Sequence, residues 1–124
     1  MATAATLPAA DAVADVALTG TVAGTLYFAT GSAALPNDAG LVVAEVHDVA
    51  AAQPQMKLLI SGFHDDTGGA AANALLAKER AKGVREALVA AGVDGGRIVM
   101  RKPELMVGGG DDAQARRVEV RATE

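Results

Sequence analysis

The stretch from Ile60 to Arg80 constrains the fold more than any other part of this chain. An apolar run, Ile60-Ser61-Gly62-Phe63, gives way to a polar turn at Asp65-Asp66-Thr67 and then to Gly68-Gly69, after which a helical period begins. The turn sits between a strand and a helix, and Asp66 or Thr67 is expected to cap that helix, which runs to about Ala91 and stops at Gly92. At about 100° per residue, with the wheel centred on Val84, the residues Ala77, Ala81, Leu88 and Ala91 share an apolar face. Lys78, Glu79, Lys82, Arg85 and Glu86 lie opposite. Two polar residues break the pattern: Asn73 and Arg80 fall within about 40° of the apolar centre.

An arginine on a core-facing stripe costs stability unless it finds a partner. Asp65 and Asp66 are its nearest acidic neighbours in sequence on the turn side. One reading is an internal Asp–Arg pair that ties turn to helix. The other is a recognition pocket at the helix N-terminus, in which amides and Arg80 hold a carboxylate and an aspartate holds an ammonium. Such a pocket suits a zwitterion, either an amino acid or a free peptide end.

The rest of the chain is read around that stretch. Its 124 residues suit one domain. Residues 1–17 are Ala-rich without a strong period and are expected to form a flexible arm, leaving 18–124 as the domain. Gly24 to Phe28 reads as a strand with Leu26 and Phe28 inward. Pro36 to Gln53 reads as a helix burying Val42, Val46, Val49 and Ala50. Met56 to Gly62 is a second strand with Leu58 and Ile60 on one face. Arg97 to Lys102 is a third, and Arg116 to Ala122 a last strand whose Val118 and Val120 share a face with Arg116. Pro103 to Gln114 reads as a loop. Its Gly108-Gly109-Gly110 lacks the Lys-Ser/Thr ending of a phosphate loop.

Strand, helix, strand, helix, strand predicts parallel pairing of the first three strands, with the last one antiparallel. The fold class is therefore α/β, an α+β sandwich of β-α-β-α-β-β order with two helices on a mixed sheet. Ala29–Gly31, Gly62–Asp66 and Arg116 then converge at one edge, where open sheets of this kind bind ligands. Arg116 is either at the rim of that site or a solvated strand-end charge.

Composition excludes several functions. A net charge of −4 argues against a nucleic-acid partner. There is no cysteine, and His47 and His64 are the two histidines, which leaves no zinc set. His47 lies beside the apolar stripe of the first helix and reads as a boundary residue. Neither Ser32 nor Ser61 has the spacing of a nucleophile elbow, and Asp65 and Asp66 are neighbours rather than carboxylates facing across a cleft. A binding module without cofactor or metal is expected rather than an enzyme.

The motif Gly62-Phe63-His64-Asp65-Asp66-Thr67-Gly68, then Asn73, then Leu76-Ala77-Lys78-Glu79-Arg80-Ala81 resembles the signature of the OmpA-like peptidoglycan-binding domain. Gly92-Val93, Arg97-Ile98 and Arg116-Arg117-Val118-Glu119-Val120 extend the resemblance over roughly Leu26 to Val120. It implies non-covalent binding of cell-wall peptidoglycan through the diaminopimelate of the stem peptide, anchoring an envelope protein to the wall. Asp65 and Arg80 take the clasping roles, with Asn73, Asp66, Thr67 and Arg116 completing the expected site. The alternative it leaves open is a structural or assembly domain of the periplasm that has lost peptidoglycan affinity. It also implies a place in the periplasm or cell envelope. Met1 to Leu18 lacks the pattern of an export signal, so a membrane-anchoring segment or a partner envelope protein is expected from elsewhere. The chain departs from the family at Phe28-Ala29-Thr30-Gly31-Ser32, where acids are usual, at His64 for Thr, at Asp66 for Asn, and from Arg101 to Gly110.

Overall fold

The computed structural model describes residues 13–106 and 112–124. Its elements run β1 (Thr21–Tyr27), α1 (Ala39–Ala52), β2 (Lys57–His64), α2 (Ala70–Ala90), β3 (Ile98–Leu105) and β4 (Arg117–Thr123). Single 3-10 turns, Gly95–Arg97 and Asp112–Arg116, precede β3 and β4. This is the expected β-α-β-α-β-β order of an α/β fold, with two helices on a four-stranded mixed sheet.

The pairing corrects one expectation. Sheet order is β1-β4-β2-β3. The last strand lies between the first and second, antiparallel to both, and only β2 and β3 pair in parallel. β4 can fill that slot because its valines complete the core. Val118 and Val120 are fully buried together with Leu26, Leu58 and Ile60, and the helices cover them with Val42, Val46, Ala81, Val84 and Leu88. Aromatics are 2% of the chain, so this core is made of small aliphatic side chains on closely approaching backbones. Glycine allows the approach. A Cβ at Gly24 would lie 2.7 Å from Val42 Cγ1, and one at Gly62 would lie 2.7 Å from the carbonyl oxygen of Ala77. The second contact seats α2 on β2 immediately before the turn that carries Asp65.

Several boundaries move. α1 starts at Ala39, because Pro36 to Asp38 form a preceding turn in which Ala39 N donates to Pro36 O. Val49 is only partly buried, while Val43 joins the stripe. On α2, Ala77, Ala81, Val84 and Leu88 face inward as expected, but Ala91 is exposed beyond the helix end. β3 extends to Leu105 and so includes Pro103. The register against β2 slips between Ser61 and Phe63, placing an extra β3 residue near Pro103, where no N–H is available. The Gly108–Gly110 run lies outside the described residues.

The second face of the sheet is also closed. Arg117, Glu119 and Arg121 lie opposite the valines, as parity predicts, yet they are not solvated. Glu119 accepts from Arg117 Nε and Arg121 Nε, both at 3.1 Å. The Arg117 guanidinium lies 3.7 Å from the Phe63 ring centroid. Arg101 reaches Ser61 Oγ, Glu104 and Val16 O. Leu59, Ser61 and Phe63 are buried beneath these side chains. Of the arm expected over 1–17, the described part begins at Val13. Ala14 bridges to Arg101 in parallel, with Ala14 N donating to Met100 O (2.8 Å) and Lys102 N to Ala14 O (2.7 Å).

Candidate functional site

At the carboxyl ends of β1 and β2, the chain leaves a cleft of about 200 Å³. Thr30 and Gly31 line it after β1, His64 at the last position of β2, and Asp65 and Thr67 after β2. Asn73, Leu76 and Arg80 come from the first turns of α2, and Ala115 and Arg116 from the approach to β4. The three segments expected to converge at this edge do so.

The turn before α2 builds one wall. Asp65 Oδ1 accepts from Thr67 N at 3.2 Å, closing a local turn. Asn73 folds back from the helix, and its Nδ2 donates to Asp65 O (2.9 Å) and Thr67 O (2.6 Å). This explains an asparagine on the inner side of the helix: it fastens the turn and leaves the Asp65 carboxylate at the cleft. The capping expectation is corrected. Gly69 is the N-cap with φ 123°, and neither Asp66 nor Thr67 caps the helix with a side chain. Such a φ suits glycine alone, so the turn chemistry falls to Gly68 and Gly69. Asp66 is exposed and does not line the cleft; Thr67 does.

Arg80 forms the floor. Its residue is 3% exposed, as the helical period requires. It does not pair with Asp65. Nε donates to Ser32 O at 2.8 Å and Nη2 to Ala29 O at 3.1 Å, and its Cζ lies 5.4 Å from the Phe28 ring centroid. The loop after β1 thus receives the arginine that the sequence assigned to the turn, because the carbonyls of Ala29 and Ser32, which flank the turn after β1, reach Arg80 directly. Arg116 sits beside it, with Nε donating to Phe28 O at 2.9 Å. Burial first, and the neighbouring Arg116 charge second, hold the Arg80 guanidinium below the usual arginine range. Among the described residues no carboxylate lies within 4 Å of either guanidinium.

Sequence reasoning did not assign His64, Leu76 or Ala115 to the site. His64 is 6% exposed, with Nδ1 3.2 Å from Asp65 O. Its position as the last residue of β2 was the available signal. His47 is at the surface, with Nδ1 3.3 Å from Asp48 Oδ1. Among the described residues no cluster of three His, Cys, Asp or Glu could hold a metal, and no helix is long and apolar enough to cross a membrane.

Chemically, the cleft offers two guanidiniums, one carboxylate, and a helix start whose N-cap contributes no side-chain bond. It can hold an anionic group firmly and a cationic group on the opposite wall. Comparison with known proteins places the same geometry in context. The family model described as OmpA family matches residues 27–119. No curated protein sequence matches the chain. Among solved structures, the chain is similar to the peptidoglycan-associated lipoprotein from Burkholderia pseudomallei, with TM-score 0.68, 24% identity, and 81% of this chain and 90% of that one covered. It is also similar to a putative MotB-like protein from Desulfovibrio vulgaris, with TM-score 0.66, 25% identity, and coverage of 79% and 69%. A third is the cell wall anchor of the T6SS from Pseudomonas aeruginosa, with TM-score 0.63, 22% identity, and coverage of 81% and 80%.

Proposed function

The chain belongs to the OmpA family, and on that premise we propose that it binds cell-wall peptidoglycan non-covalently through the diaminopimelate of the stem peptide. It acts as a binding module rather than an enzyme, and anchors an envelope protein to the wall from the periplasmic side. The observation that carries this reading is Arg80: a buried guanidinium on a core-facing helix position, opened to a cleft whose facing wall carries Asp65. Its charge meets backbone carbonyls and an aromatic ring but no carboxylate among the described residues, so a ligand carboxylate completes the charge balance. The distal ammonium of the same zwitterion falls to Asp65. Asn73 and Thr67 support the reading by holding that wall in place. Arg116 adds a second cation, while Asp66, being exposed, contributes only long-range charge.

A second reading has one observation in its favour. Two of the Arg80 donors are already engaged with the loop after β1, and Thr30 and Gly31 bring no acid to the cleft. The domain would then serve assembly within the periplasm, with Arg80 acting as a structural clamp. Calorimetric titration with a diaminopimelate-containing stem peptide, and with its lysine counterpart lacking the distal carboxylate, separates the two. Arg80→Ala and Asp65→Ala should each weaken binding of the first peptide on the order of tenfold to a hundredfold, the scale of one charged hydrogen bond. His47→Ala should change nothing. A wild-type domain that binds neither the peptides nor purified sacculi leaves the assembly reading standing.

A further inference from the structure

Among the described residues the cleft's charge is unbalanced. Arg80 and Arg116 face it with two positive charges, Asp65 with one negative, and His64 adds no negative charge in either of its states. On the opposite sheet face Arg101, Arg117 and Arg121 bond Glu104 and Glu119, and Arg97, held by carbonyls at the end of α1, lies away from the cleft. Here both guanidiniums are instead held by carbonyls of one short loop, at Phe28, Ala29 and Ser32. A shared anchorage fixes them relative to each other, so their mutual repulsion cannot relax by one side chain swinging away. The lowered proton affinity of Arg80, part of which comes from Arg116, agrees with that geometry.

A ligand with one carboxylate and one ammonium leaves one of these cations unanswered. A ligand with two carboxylates and one ammonium meets all three charges. We propose that the cleft selects a stem peptide that ends at its diamino acid, whose own main-chain carboxylate is free, over one in which that carboxylate is consumed by a further peptide bond. Arg116 is the residue that reads this second carboxylate, and Arg80 keeps the distal one. This rests on the reading above that the cleft takes a diamino-acid zwitterion, and refines which form of it is held.

The test uses the full chain and three synthetic peptides in calorimetry. One ends at diaminopimelate, one carries a further alanine whose own carboxylate is amidated, and one ends at diaminopimelate with its main-chain carboxylate amidated. The first should bind about tenfold more tightly than the other two, with an advantage that shrinks at high ionic strength. Arg116→Gln should bring the three peptides to near-equal affinity, whereas Arg116→Lys should keep part of the preference. Wild-type affinities within twofold of one another overturn the proposal while leaving the zwitterion reading intact, as does a preference that survives Arg116→Gln. Binding of none of the three overturns both. Because the decisive comparison is among ligands on the unaltered chain, it does not depend on any variant folding.

Discussion

Substituting Gly62 by alanine tests the contact that puts the site together. The new Cβ would stand 2.7 Å from Ala77 O, 3.2 Å from Ala77 C and 3.3 Å from Ala77 Cβ. Ordinary van der Waals contact begins at 3.4 Å, so β2 and α2 must part by roughly 0.7 Å. Neither side can give cheaply, because the obstacle is helix backbone rather than the tip of a flexible side chain. Overpacking of this kind costs about 1–3 kcal/mol. Alanine also restricts the unfolded chain, which returns about 0.4–1 kcal/mol. The net loss is about 1–2 kcal/mol, and at roughly 3–5 °C per kcal/mol for a domain of this size it lowers Tm by roughly 3–10 °C. The site should feel it too. Arg80 follows Ala77 by one helical turn, and its bonds to Ser32 O and Ala29 O, now 2.8 and 3.1 Å, must lengthen. Scanning calorimetry and peptide titration of the same variant measure both effects. A Gly62→Ala protein with wild-type Tm or higher would refute the argument that this glycine is required by space.

Deleting residues 1–17 removes the two Ala14 backbone bonds to β3 and the Arg101 bond to Val16 O; a loss of about 1–3 kcal/mol is expected in denaturant unfolding. Arg97→Ala should cost about 2–3 kcal/mol by the same measurement, because this side chain bonds the carbonyls of Ala50, Gln53 and Met56 where α1 ends and the chain enters β2. For Arg80, a depressed cation disfavours the folded state wherever the group is charged, and that penalty lifts only as pH rises through its folded and then its unfolded pKa, far above neutrality. Arg80 therefore gives stability no slope near neutral pH, and the relief must come from a bound anion. Stem peptide at about 100 times its Kd should add about 2.7 kcal/mol, read as the same rise in Tm at about pH 7 and pH 9; a rise confined to the lower pH would show that another group governs the site.

Local patterns in the sequence determined the elements, the core face and the presence of Arg80 on it. They did so because helical and strand periods depend only on neighbouring residues. Val118 and Val120 facing inward, with Arg117, Glu119 and Arg121 facing out, follow from parity alone. The convergence of Thr30, Asp65 and Arg116 at one edge was legible from the connections, since the two helical crossovers return β1, β2 and β3 in one direction and the final loop reverses β4. Partners distant along the chain were not legible. Nothing near Arg80 in sequence marks Ser32 O and Ala29 O as its acceptors, 48 and 51 residues away. Asp65 looked like its partner because it was close along the chain, but the tertiary fold ties Asp65 Oδ1 to Thr67 N instead. The place of β4 between β1 and β2 likewise depended on which strand could complete a shared core, a property of the packed set rather than of any one segment. Sequence thus named Asp65 and Arg80 as charges of the site, while it also named Asp66, which does not line the cleft, and left Arg116 open. Only the tertiary structure settled that its two arginines share one anchoring loop and, among the described residues, meet no carboxylate, because loop carbonyls distant along the chain take their N–H groups.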